Sequence, residues 1–124
     1  MAAKVVLWIF GLSFLAFGGW ALFDPVSFSN LVQFELTSKL ATTEMRAFYG
    51  GLELGLAAFF ILGALKPDLT RPALLVGLLS MGTVACSRIV GIIVDGSTGS
   101  LLYAVLAIEI IGALACFLSL KPRG

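Results

Sequence analysis

Histidine is absent from the 124 residues, and no lysine lies inside any of the long apolar stretches. The first absence removes the commonest metal ligand and axial haem ligand, and the second leaves a retinal-type Schiff base without an anchor. No cofactor and no metal is therefore expected. Charge is scarce as well: 12% of residues are charged, against about 25% in soluble domains. The net charge of +1 provides no basic patch, so nucleic acid is not an expected partner. The two cysteines, Cys86 and Cys116, fall in apolar stretches at depths that differ by roughly 10 Å. That is too far for a disulfide, and both are read as free thiols acting as small apolar residues.

What fills the chain is apolar: 60% of residues are hydrophobic and the mean hydropathy is +1.08. These values place it in the membrane. About 20 apolar residues are needed to cross roughly 30 Å of hydrocarbon. Four stretches qualify, at about 5–23, 46–65, 72–94 and 101–120, which makes the expected fold all-α, a single domain built as a four-transmembrane-helix bundle. Residues 1–23 have the outline of a signal peptide, but the apolar run is longer than a signal core, and it is read as the first span. Asp24-Pro25 ends that span, Pro72 suits the first turn of the third, Asp95-Gly96 marks a turn, and Ser100 is placed to cap the fourth.

Basic flanks set the orientation. Lys4, Lys66, Arg71, Lys121 and Arg123 gather on one side, while Lys39 and Arg46 share the other with Asp24, Glu35, Glu44 and Asp95. Both termini are expected in the cytoplasm, with the protein multi-pass in its membrane. In the long outer connection, Phe28, Leu31, Val32, Leu36 and Leu40 recur at helical spacing. This predicts an interfacial helix between the first two spans, either an amphipathic lid over the charged residues or a helix resting at the membrane surface.

The charges in the spans carry the functional argument, because an intramembrane charge marks a working site by default. Counted from the outer face at 1.5 Å per residue, Glu53 and Arg88 lie about 9 Å deep and Glu109 roughly 12 Å. Arg46 and Glu53 are seven residues apart, two helical turns along one face, with Tyr49 between them, and Arg88 and Asp95 repeat the spacing. Gly51 and Gly55 form a small-xxx-small motif around Glu53, which predicts close approach of another helix there. The expected polar cluster is thus Glu44, Arg46, Tyr49, Glu53, Arg88, Asp95 and Glu109. Arg46 and Arg88 leave one of the three carboxylates Glu53, Asp95 and Glu109 unbalanced, able to hold a proton or accept a cation. A purely structural ionic tie that fixes helix register is the competing explanation.

The run Glu44-Met-Arg46-Ala-Phe-Tyr49-Gly50-Gly51-Leu-Glu53, followed by Arg88-Ile-Val-Gly91, Asp95-Gly96 and Glu109, resembles a bacterial family of small four-helix membrane proteins catalogued only as a domain of unknown function. The resemblance covers almost the whole chain and implies the four-helix topology and the inner membrane. It implies no activity.

Three functions compete. The first is binding or processing of an amphipathic or lipid-like molecule from the outer leaflet. Glu53, Arg88 and Glu109 are then the catalytic candidates, the glutamates as acid and base and Arg88 as the group that keeps one ionised. With no nucleophile–histidine pair, metal cluster or phosphate loop, the standard hydrolytic routes are not expected. The second is an accessory or structural subunit of a larger membrane complex, partnered by other membrane proteins or by itself as an oligomer. The third is movement of protons or small ions.

Overall fold

A computed structural model describes residues 1–121, which are all-helical apart from short connections. Arg123, one of the basic flanks, lies outside the described residues. We label five helices: α1 (Ala2–Phe23), α2 (Pro25–Val32), α3 (Lys39–Leu65), α4 (Pro67–Asp95) and α5 (Ser100–Leu120). Helices α1, α3, α4 and α5 have 22, 27, 29 and 21 residues, each long and apolar enough to cross a membrane. The protein is a multi-pass membrane protein.

Local chemistry explains where the helices start and stop. Asp24 follows α1 and caps α2, its carboxylate accepting from the Ser27 amide at 3.3 Å while Pro25 occupies the first turn. Helix α2 ends at Gln33 in the left-handed conformation (φ 60°), and the Phe34 amide donates back to the Ser29 carbonyl at 2.9 Å. Residues 34–37 have no regular structure, and Ser38 then caps α3 through the Ala41 amide at 3.0 Å. The helix expected between the first two spans is therefore present as α2, but it stops short of the Phe28 to Leu40 spacing that predicted it. Phe28, Leu31 and Val32 belong to α2, Leu36 lies in the irregular stretch, and Leu40 lies in the first turn of α3.

Two other expectations are corrected. The third span begins at Pro67, not at Pro72. Pro67 takes the first-turn position and Pro72 sits inside α4, while the Thr70 hydroxyl donates to the Gly63 carbonyl at 2.6 Å and satisfies a helix-end acceptor. Ser100 does not cap α5. Gly99 (φ 138°) holds the cap position with no side-chain hydrogen bond.

The chain divides into two compact units, residues 1–7 with residues 63 onward, and Trp8–Leu62. In the first, α4 packs along α5, and Gly63 faces Ala73 so closely that a Cβ on Gly63 would lie 2.4 Å from the Ala73 Cβ. Arg71 donates to the Leu120 carbonyl at 3.1 Å, meeting an acceptor that the last turn of α5 leaves open. In the second, Phe60 is fully buried and meets Phe10 and Phe14 edge-on at centroid distances of 5.3 and 5.2 Å. Higher up the same pair of helices, Gly18 and Gly50 bring the backbones together: a Cβ on Gly50 would lie 3.0 Å from the Leu22 Cα.

Candidate functional site

Two places gather the polar side chains. The first is a buried ion pair between α4 and α5. Arg88 donates from Nε and Nη2 to the two carboxylate oxygens of Glu109, both at 2.8 Å. This fork-on-fork geometry is the strong form of a charge-assisted pair. The Glu109 side chain is only 8% exposed and that of Arg88 34%, so the glutamate is held inside the protein and the guanidinium reaches in to meet it. Asp95, seven residues after Arg88, ends α4 in an exposed position before left-handed Gly96.

The second place is the end of the other unit that carries the Glu44–Glu53 run. From Lys39 to Met45 the chain is α-helical, from Arg46 to Leu52 it winds as a π-helix, and from Glu53 it is α-helical again. A π-helical stretch is uncommon and concentrates at functional sites. Its wider turns mean that seven residues no longer complete two turns, so Arg46 and Glu53 do not share the face that regular α-helical spacing implies. Arg46 turns instead to the end of α1, where Nη1 donates to the Leu22 carbonyl. A cation at a helix C-terminus meets both an open acceptor and the negative end of the dipole. Glu53 has one carboxylate oxygen, Oε2, buried without a hydrogen-bond partner among the described residues.

The small-residue expectation also shifts. Gly55 has open space around the position of a Cβ, and Gly51 meets only its own helix, at the Arg46 carbonyl oxygen 3.9 Å away. Gly50, their neighbour in the run, makes the close approach to α1. A glycine pair four apart names a face, and the π-helical winding turns a different glycine toward the partner.

Around this end the aromatic side chains form a connected cluster. Trp20 meets Phe28 edge-on at 5.4 Å, Phe28 meets Tyr49 at 5.6 Å, and Tyr49 meets Phe34 edge-on at 5.6 Å. Ala21, Phe28 and Met45 are its buried core, with Val32 and Leu36 packed against them. Beside the cluster opens a recess of about 550 Å³, lined by residues that include Phe34, Glu35, Leu36, Glu44, Phe48 and Tyr49. The structure thus brings Arg88 together with Glu109, and sets Glu44 and Tyr49 on one recess. Sequence reasoning missed Phe34, Glu35 and Phe48 as recess residues. The alternation Gln33-Phe34-Glu35-Leu36-Thr37 interrupts the helical period, which is the signal that no helix runs through the first two. Among the described residues, no group of three His, Cys, Asp or Glu side chains is placed to hold a metal ion. Cys86 and Cys116 are both free.

Residues 2–120 match the family described as a domain of unknown function, DUF4345. The chain belongs to that family. The Glu44–Glu53 run thus lies inside the matched region, as do Arg88, Asp95 and Glu109. No curated protein and no solved structure matches the chain.

Proposed function

We propose that this protein binds an amphipathic, lipid-like molecule at the recess beside the start of α3. One observation carries the reading: a recess of about 550 Å³ whose wall combines apolar Phe34, Leu36, Met45 and Phe48 with the polar groups of Glu35, Glu44 and Tyr49. Small-molecule sites occupy about 300–1,000 Å³ and pair a mostly apolar lining with a few polar groups. A molecule with one polar end and one apolar end meets that description. The π-helical winding supports the same location, because it spans Arg46 to Leu52 and so carries Tyr49 and Phe48. The Arg88–Glu109 pair is given the structural role. Both carboxylate oxygens of Glu109 are already engaged by Arg88, which suits a tie between α4 and α5.

Orientation belongs to the same proposal. Lys4, Lys66, Arg71 and Lys121 flank the spans on one side, which favours cytoplasmic termini in an inner membrane. The recess, formed by the connection between the first two spans and the start of α3, then faces the outer side. Purification in a mild detergent followed by native mass spectrometry tests the binding claim. A lipid-like adduct retained in fixed ratio is the expected result. A foreign subunit in fixed ratio would favour the accessory-subunit reading instead, and a bare chain would remove the binding claim.

A further inference from the structure

The recess has a charge sign, and that sign selects a ligand class. Among the described residues, its lining contains two ionisable carboxylates, Glu35 and Glu44, and no basic side chain. The two basic residues of the same stretch, Lys39 and Arg46, do not line it, and Arg46 donates to the Leu22 carbonyl. Glu35 and Glu44 are exposed, and among the described residues neither forms an ion pair or a hydrogen bond through its carboxylate. Three aromatic rings, those of Phe34, Phe48 and Tyr49, share the same wall. Carboxylates beside aromatic faces are the surroundings in which a quaternary or primary ammonium is recognised, through Coulomb attraction together with the ring quadrupoles. An anionic headgroup would face two like charges with no compensating donor of positive charge on the wall.

The apolar end of the ligand also has a path. Phe48, on the recess wall, is 61% exposed on α3. A hydrocarbon tail can lie against that exposed ring while its head sits in the recess.

Resting on the proposed binding of an amphipath at this recess, we infer that its ligand carries a cationic, ammonium-type head, held by Glu35, Glu44 and the rings of Phe34, Phe48 and Tyr49. The test compares three single-chain probes of equal tail length added to the protein in maltoside micelles: hexadecyltrimethylammonium, hexadecyl phosphate and hexadecyl maltoside. Native mass spectrometry reads the bound fraction of each. The ammonium probe should bind about ten-fold more tightly than the phosphate probe, a margin within reach of one cation–aromatic contact and one charge pair. The double variant Glu35→Gln, Glu44→Gln should abolish that preference. Both glutamates are exposed, so the variant is expected to fold, and an unchanged melting temperature verifies it. Phosphate or maltoside binding as well as ammonium to the wild-type chain would overturn the cationic assignment and leave an amphipath site standing. Preference for ammonium that survives the double variant would also overturn it. Failure of all three probes to bind would overturn the underlying site.

Discussion

Glu109 and Glu44 are both carboxylates of a chain poor in charge, and the two regions around them treat that charge in opposite ways. Glu109 is buried between α4 and α5, and each of its carboxylate oxygens accepts from the same arginine. Glu44 stands exposed on an open recess among aromatic rings, with no basic side chain among the described residues of the same wall. The first arrangement is closed, since the strongest partner available is already bound. The second is open, with negative charge and apolar surface both available to something from outside. Charge that is buried and paired holds structure, and charge that is exposed beside an apolar wall is the better candidate for function.

The sharpest way to break this contrast is to remove the arginine. Arg88→Leu should strand the Glu109 carboxylate in the protein interior, and breaking a buried pair in this way costs about 3–5 kcal/mol. The partial exposure of Arg88 argues for the lower end of that range. Thermal unfolding in detergent reads the loss, and Arg88→Leu with Glu109→Leu should recover most of it, because apolar replacement of both partners is often neutral. A double variant as unstable as the single one would show that the pair does more than tie two helices.

Helix contact comes next in size. Gly50→Ala forces a Cβ to within 3.0 Å of the Leu22 backbone, which must move, at a cost of about 1–3 kcal/mol. Gly55→Ala meets nothing and should raise stability by about 0.5–1 kcal/mol through better helix propensity. The two melting curves should move in opposite directions. Movement in the same direction would mean that α1 and α3 do not meet at Gly50. A smaller effect is expected at the start of α3, where Ser38→Ala removes the cap on the Ala41 amide and should cost about 1 kcal/mol. Smallest of all is Glu44→Gln. It should change the melting midpoint by no more than about 0.5 kcal/mol in stability, as exposed substitutions usually do. A large loss there would make Glu44 a structural residue like Glu109.

Much of the fold was legible because a membrane span has a simple signature: the four long apolar runs became α1, α3, α4 and α5. The contact between Arg88 and Glu109 was legible for a related reason, since an unpaired charge among apolar neighbours is costly and these two opposite charges stand at similar depth on successive spans. What was not legible depended on backbone geometry. Phe28 to Leu40 fits one helical period on paper, but left-handed Gln33 and the Ser38 cap divide it. Pro67 and Pro72 are both acceptable near a helix start, and the sequence pattern alone favoured the wrong one. Arg46 looked like a partner for Glu53 because seven residues were counted as two turns. The π-helical winding removes that register, and the open carbonyl at the end of α1 takes the guanidinium instead. The recess was invisible for the same reason, since it exists only once α2 has ended and the chain from Phe34 to Leu36 has turned alongside α3.

The central claim, that the recess and not the ion pair is where this protein meets its ligand, is tested most directly by crosslinking in living cells. A photoreactive benzoylphenylalanine placed at Phe48, on the recess, is compared with one at Ile108, an exposed position on α5 beside Glu109 in the chain. After irradiation, mass spectrometry of the purified protein should show one dominant lipid-sized adduct from position 48. Position 108 should give only the mixed adducts expected of a side chain facing bulk lipid. The same mixed adducts at both positions, or a dominant species from position 108 alone, would contradict the claim.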